Sequence, residues 1–267
     1  MITSTSNERV RKVVSLMEKS KARREEDAFV IEGMKMLREA PVLQVREVYV
    51  TARFLDKATE EDKEILWRYG AEEVSEDVMK KMAATQTPQG VLAVISQYHY
   101  TLEEVIKGYN QDDENARPLM LILENIQDPG NVGTMLRSGE GAGVTGIILS
   151  KGSADIYNPK VIRSTMGSIF RMPFIYVESV PQVLETLKAS GIHTYAAHLK
   201  GEKNYDEFDY TKPTAFLIGN EGNGLTKETA DAADTYILIP MKGEVESMNA
   251  ATSAAILTFE ASRQRRG

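Results

Sequence analysis

The sequence predicts two α/β domains, the second built on a parallel sheet. Three observations lead there. At 267 residues the chain exceeds the usual size of one domain, and 42% hydrophobic with 27% charged residues suits a globular protein with a real core. Strand-like apolar runs alternate with helical patterns through the second half of the chain. The polar, acidic stretch from Gly108 to Pro118, GYNQDDENARP, has almost nothing to bury and reads as a linker. The expected division is 1–107 for a first domain, 108–117 for the linker and 118–267 for the second domain.

From the N-terminus, the first 24 residues are rich in Ser, Thr and basic side chains. Glu8 and Glu18 interrupt them and no apolar signal core follows, so the segment is read as part of the fold. From Arg9 to Arg24, seven basic residues against Glu18 alone leave +6 over sixteen positions. Val10, Val13, Val14 and Met17 could turn inward on one helical face, and the basic residues would then be either a solvated surface or a phosphate-binding patch. Apolar runs at 45–50, 71–74 and 90–95 alternate with helical patterns near 33–39, 57–68 and 76–82, a compact α/β unit.

Beyond the linker, strand-like runs at 119–125, 145–149, 173–177, 193–197, 214–219 and 235–239 alternate with helical stretches near 131–141, 160–167, 179–190, 226–233 and 248–264. Such alternation predicts a parallel sheet with helices on both faces. Ligands of these sheets sit outside the carboxyl ends of the strands, which directs attention to the loops after 119–125, 214–219 and 235–239.

Composition excludes several functions. No cysteine is present, which removes disulfides, thiolate zinc sites and cysteine nucleophiles and fits a reducing, cytoplasmic setting. The three histidines, His99, His193 and His198, lack metal-ligand spacing, so no metal is expected. No run approaches the roughly 20 apolar residues of a membrane span. A net charge of −7 argues against general attraction to nucleic acid, so any such binding must be local. Gly141, Gly143 and Gly146 spell G-x-G-x-x-G, but they follow a helix and lead into a strand, the reverse of a dinucleotide-binding turn. They are expected to end the helix instead.

Three loops carry chemistry. In DPGNVGTMLRSGE, Asp128 to Glu140, a strand gives way to a helix whose free N–H groups suit an anion such as RNA phosphate, with Asn131 at the helix start and Arg137 further along. In IGNEGNGL, Ile218 to Leu225, glycines around Glu221 permit a ligand to approach the backbone. In the segment Ile239 to Glu260, Ser247 and Asn249 flank Met248 where a helix of small residues begins. Each residue alone could be a helix cap. Caps do not explain three polar loops at one end of a sheet.

In their order these segments, N-x-G-x-x-x-R, IGNEGNGL and IPM…ESMNAATSAAILTFEASRQ, resemble the three signature motifs of SpoU (TrmH-like) RNA ribose 2'-O-methyltransferases of the SPOUT superfamily. KARREEDAFVIEG (21–33) and QTPQGVLAV (86–94) are similar to the same family's substrate-binding domain, a small fold like ribosomal protein L30e. The resemblance implies a deep trefoil knot, a homodimer, and S-adenosyl-L-methionine (AdoMet) held in the knot by Gly219, Ile239 and Met248 with His198 and Leu199 near its edge. It implies a catalytic set of Arg137, Asn131, Glu221, Ser247 and Asn249, and RNA contacts from Arg163 and Ser164. From the charge run itself, Arg9, Arg11, Lys19, Arg23 and Arg24 are the expected phosphate contacts of the basic patch. Family precedent casts Arg137 as activator of the hydroxyl. A guanidinium is a poor base near neutral pH, so a clamp on the adjacent phosphate is the preferred role. Ribosomal RNA is the expected substrate, with a tRNA methyltransferase or a noncatalytic ribosome-assembly factor as the alternatives.

Overall fold

The structure is a computed structural model, described here for residues 1–83, 85–108, 117–244 and 247–266. Most of the expected linker lies outside the described residues. In chain order the elements are α1 (Glu8–Glu18), α2 (Ser20–Glu25), β1 (Ala28–Glu32), α3 (Met34–Glu39), β2 (Val45–Thr51), α4 (Ala52–Leu55), α5 (Glu60–Arg68), β3 (Glu72–Val74), α6 (Glu76–Met82) and β4 (Val91–Ser96). There follow α7 (Leu102–Lys107), β5 (Leu119–Leu123), α8 (Pro129–Ala142), β6 (Gly146–Ser150), α9 (Pro159–Thr165), β7 (Phe174–Val177), α10 (Val180–Ala189) and β8 (His193–Ala197). The last are β9 (Thr214–Ile218), α11 (Lys227–Ala232), β10 (Thr235–Ile237) and α12 (Ala250–Arg265).

The chain forms two compact units, residues 1–98 with 155–170, and residues 99–154 with 171–267. The first carries a four-stranded sheet in the order β1-β4-β2-β3, antiparallel except for the β2–β3 pair. Val10, Val13 and Leu16 of α1 and Val78, Met79 and Met82 of α6 are buried together over one face of it. Arg9, Arg11 and Lys12 are therefore on the outer surface of an amphipathic helix whose apolar stripe is core, and Lys21, Arg23 and Arg24 fall on α2. Asn7 caps α1 by accepting from the Arg9 N–H at 2.9 Å.

Segment 155–170 belongs to this first unit, although its neighbours in sequence lie in the second sheet. Ile156, Val161 and Ile169 are fully buried in it, and Tyr157 stacks on Phe29 with ring centroids 4.7 Å apart. Arg23 is only 3% exposed and pairs with Asp155 at 2.7 Å, while also donating to the Leu16 carbonyl at 2.7 Å. This corrects the expectation for Arg23. Its guanidinium is committed to a buried pair and presents no face to a phosphate.

The second unit is a six-stranded, wholly parallel sheet in the order β10-β8-β9-β5-β6-β7. All five residues of each of β5, β6 and β9 are buried, as expected for strands covered on both faces. Gly143 ends α8 in the left-handed conformation at φ 86°, the turn that the glycine pattern calls for in place of a dinucleotide loop. On α12, Ala250, Ala251 and Ala254 are buried, and the helix packs on α8 and β9. Arg265 near its end donates to the carbonyls of Tyr210, Arg117, Pro118 and Lys212, fastening the helix over the start of β5. No described helix is long and apolar enough to cross a membrane.

Candidate active site

β5 and β9 are hydrogen-bonded neighbours, in register from Leu119 with Thr214 to Leu123 with Ile218, so their carboxyl-end loops meet. Asp128 caps α8 by accepting from the Gly130 N–H at 2.5 Å and the Asn131 N–H at 3.1 Å, with Pro129 at the first helical position. Asn131 is thus not the cap, and its side chain is free to reach across the loops. Its Nδ2 donates to Glu221 Oε1 at 2.9 Å, and its Oδ1 accepts from Asn249 Nδ2 at 2.9 Å. The cap of α12 is Asn249 and not Ser247: its Oδ1 accepts from the Ala251 and Thr252 amides at 2.9 and 3.2 Å. One chain of hydrogen bonds, Glu221–Asn131–Asn249, therefore joins all three loops.

Glu221 also accepts from the Gln127 and Asp128 amides, both at 3.2 Å. Burial alone would push its carboxyl upward. The hydrogen bonds from Asn131, its own backbone and those two amides outweigh this and hold it below the usual carboxylate range. An anion held by so many donors is built to stay charged and to fix a loop.

Residues that the motifs did not single out complete the scaffold. Asn125, at the end of β5, has a left-handed backbone at φ 54°, and its carbonyl accepts from Asn220 Nδ2 at 2.8 Å. Asn220 Oδ1 in turn accepts from the Gly222 and Asn223 amides at 2.9 and 3.0 Å, closing a tight turn. The buried Glu124 accepts from the Thr226 amide at 2.7 Å and from the Thr226 and Thr229 hydroxyls at the start of α11. Consecutive residues of β5's exit thereby grip both ends of the 219–225 loop. A non-glycine residue in the left-handed region at a strand end is a sequence-invisible signal, but Asn is the side chain that tolerates it best.

Behind this loop lies a cavity of about 360 Å³. Its lining includes Gly219, Ile239, Met248, His198 and Leu199, together with Glu221 and Ser247. Gly219 has a further reason to be glycine. A Cβ there would sit 2.1 Å from the Gly224 carbonyl carbon and the Leu225 nitrogen, so the loop needs glycine to close on itself. The cavity falls within the size range of small-molecule sites, and Ile237, Leu238, Ile239 and Met248 give it an apolar side suited to a purine, beside loop backbone able to hydrogen-bond the purine edge. These features fit AdoMet.

Arg137 lies on α8 as expected, exposed, with no hydrogen-bond or ion-pair partner among the described residues. In the first unit, Arg163 is likewise exposed, whereas Ser164 donates to the Lys160 carbonyl at 2.9 Å. Arg11 and Lys19 are exposed and have no such partner among the described residues, and Arg24 donates only to Ser20 Oγ at 3.2 Å. Arg9 is engaged with Glu47 and Glu72 and lies over the Tyr49 ring at 5.2 Å. Among the described residues no cluster of His, Asp and Glu could hold a metal ion.

Comparison with known proteins gives the same picture over nearly the whole chain. The SpoU rRNA Methylase family matches residues 118–259, and the MRM3-like substrate binding domain matches residues 7–93. The 23S rRNA (guanosine(2553)-2'-O)-methyltransferase RlmP of Bacillus subtilis is 32% identical, covering 97% of both chains. The SpoU methyltransferase AviRb of Streptomyces viridochromogenes in complex with AdoMet superimposes with a TM-score of 0.83 at 27% identity, covering 97% of this chain and 99% of its own. An AdoMet-bound rRNA methyltransferase from Sinorhizobium meliloti gives a TM-score of 0.83 at 28% identity over 98% and 97%.

Proposed function

The chain belongs to the SpoU rRNA methylase family and is an AdoMet-dependent RNA 2'-O-methyltransferase, and from that premise we propose that it methylates a ribose of ribosomal RNA at the three-loop site. The observation that carries the site assignment is the Glu221–Asn131–Asn249 hydrogen-bond chain beside a cavity lined by Gly219, Ile239 and Met248. The preference for ribosomal RNA rests on RlmP, a 23S rRNA methyltransferase by name and similar over 97% of the chain.

Gly219, Ile239, Met248, His198 and Leu199 would hold AdoMet. When bound, that group supplies an electrophilic methyl on a positively charged sulfur, so no metal is required for activation. Arg137 is the proposed phosphate clamp: its planar, exposed guanidinium can grip two oxygens of the phosphate beside the target ribose and so fix the 2'-hydroxyl for in-line attack. The hydroxyl proton then passes to a phosphate oxygen or water, since a guanidinium is a poor acceptor. Asn131, Glu221 and Asn249 keep the loops in register, and Ser247 lies at the cavity beside the substrate. Arg11, Lys19, Arg24 and Arg163 are the exposed cations that suit RNA phosphates, with Arg9 shared between its carboxylates and RNA.

The deep trefoil knot implied by the family motifs and a cytoplasmic location belong to the same proposal. So does a homodimer, for which the exposed Phe259, its ring 3.8 Å from a Cβ position at Gly141, marks a candidate surface where α12 meets α8. Ribose-methylation mapping of rRNA from a strain lacking the protein tests the substrate: one 2'-O-methyl mark should disappear and return with the wild-type gene. An unaltered rRNA map with a lost tRNA mark would overturn the choice of RNA.

A further inference from the structure

One wall of the cavity is built in a way that the catalytic motifs do not account for. His198 follows β8 and lines the cavity, and three contacts immobilise it. Its backbone N–H donates to the Ile237 carbonyl at 3.0 Å. The Lys200 backbone N–H donates to its Nδ1 at 3.1 Å, which assigns the ring's proton to Nε2. Its face stacks on Tyr236, with centroids 4.8 Å apart and planes inclined by 25°. Tyr236 itself lies on β10, a three-residue edge strand paired on one side only, and its hydroxyl donates to Asp231 at 2.8 Å. With Nδ1 and one face occupied, the imidazole has its other face and its Nε2–H edge left to offer the cavity.

We propose that Tyr236 is a positioning residue for AdoMet, holding the His198 imidazole from behind as the wall against which the adenosyl group packs. The inference rests on the reading of this cavity as the AdoMet site. Tyr236 does not line the cavity, so it reaches the ligand through His198, and its ring also packs against the core of the parallel sheet. Without the tyrosine ring, the imidazole keeps a single side-chain hydrogen bond and can turn about its ring torsion. The cost of ordering it is then transferred to ligand binding.

Calorimetry of AdoMet and of S-adenosylhomocysteine on the full-length protein tests this, with Tyr236→Phe, which keeps the stack and loses the bond to Asp231, set against Tyr236→Leu, which loses both. Phe should bind within about twofold of wild type, while Leu should raise Kd about fivefold, the fold-change matching one aromatic pair. In turnover, Leu should raise KM for AdoMet and leave kcat at saturating AdoMet unchanged. Should Leu not fold, Tyr236→Met serves the same purpose. Unchanged binding by the Leu or Met variant overturns the proposal, as does an equal loss in Phe, which would assign the effect to the Asp231 contact, or a fall in kcat at unchanged Kd. A wild-type protein without AdoMet affinity would defeat the cavity assignment and this inference together, whereas normal wild-type affinity with an inert Tyr236→Leu defeats the inference alone.

Discussion

The Glu221 carboxylate accepts hydrogen bonds from the Asn131 side chain and from two backbone amides of the neighbouring loop, and it is held charged as a result. Its folded-state ionisation lies below the unfolded value, so its stabilising contribution is complete above the ordinary carboxylate range and fades as pH falls through the folded value. Glu221→Gln should therefore cost about 1 kcal/mol at neutral pH after allowance for solvent screening, with the difference from wild type shrinking below about pH 4.5. Urea midpoints measured from pH 3.5 to 8 check this, and a pH-independent gap would contradict it. Asn249 has a double duty, capping α12 and bonding Asn131, so Asn249→Ala should lose about 1 kcal/mol from the cap and more activity than the cap alone explains. Asn249→Asp separates the two: it preserves the cap acceptor but removes the donor to Asn131, and activity should stay low while stability recovers. The motifs single these side chains out as candidates. That they bond one another was not legible there, because the contact depends on β5 lying beside β9, strands almost a hundred residues apart in sequence.

Helices and strands with strong periodicity were legible, and the six strands of the parallel sheet fall within two residues of the ranges read from apolar runs. Three escaped: α4, a single turn at Ala52–Leu55, and two others for different reasons. β1, Ala28–Glu32, is a five-residue apolar run directly behind a charged helix, buried almost throughout, and shows no alternation to read. α7, Leu102–Lys107, is short and abuts the polar stretch, although its Thr101–Glu104 capping box was a readable start signal. The run from Arg9 to Arg24 reads as one patch in sequence but divides once folded, since burial is invisible to charge counting. Arg23→Ala should cost about 3 kcal/mol by leaving Asp155 without its partner, with little direct effect on the salt dependence of RNA binding. Replacing Arg11, Lys19 and Arg24 by Gln should do the reverse, holding stability within about 0.5 kcal/mol and reducing the salt slope by about 0.7 for each lost phosphate contact. Binding isotherms between low and moderate salt, beside denaturant melts, distinguish the two groups. An unchanged slope in the triple variant would make these three cations a solvated surface and nothing more.

At the scale of the molecule, the sequence suggests a clean cut near residue 108, whereas the fold lends residues 155–170 to the first unit. A fragment of residues 117–267 would expose Ile156, Val161 and Ile169 and strand Asp155, so it should melt well below the full chain and bind hydrophobic dye more strongly. Thermal scans of the two proteins test this, and equal midpoints would show that burying residues 155–170 against residues 1–98 adds nothing to stability. The parallel sheet sets its three loops at one end, and Arg137 lies exposed on the helix that leaves the first of them, with no ion-pair partner among the described residues. The most direct test of that account is single-turnover methyl transfer to rRNA by wild type, Arg137→Ala and Arg137→Lys at saturating AdoMet and RNA, with the product read as a 2'-O-methyl ribose. The wild type should transfer one methyl. Arg137→Ala should be slower by about a hundredfold or more, equivalent to roughly 3 kcal/mol of transition-state stabilisation, with AdoMet affinity unchanged, and Lys should restore little because it lacks the planar fork. Transfer by Arg137→Ala at the wild-type rate would remove the residue from the active site and contradict the account.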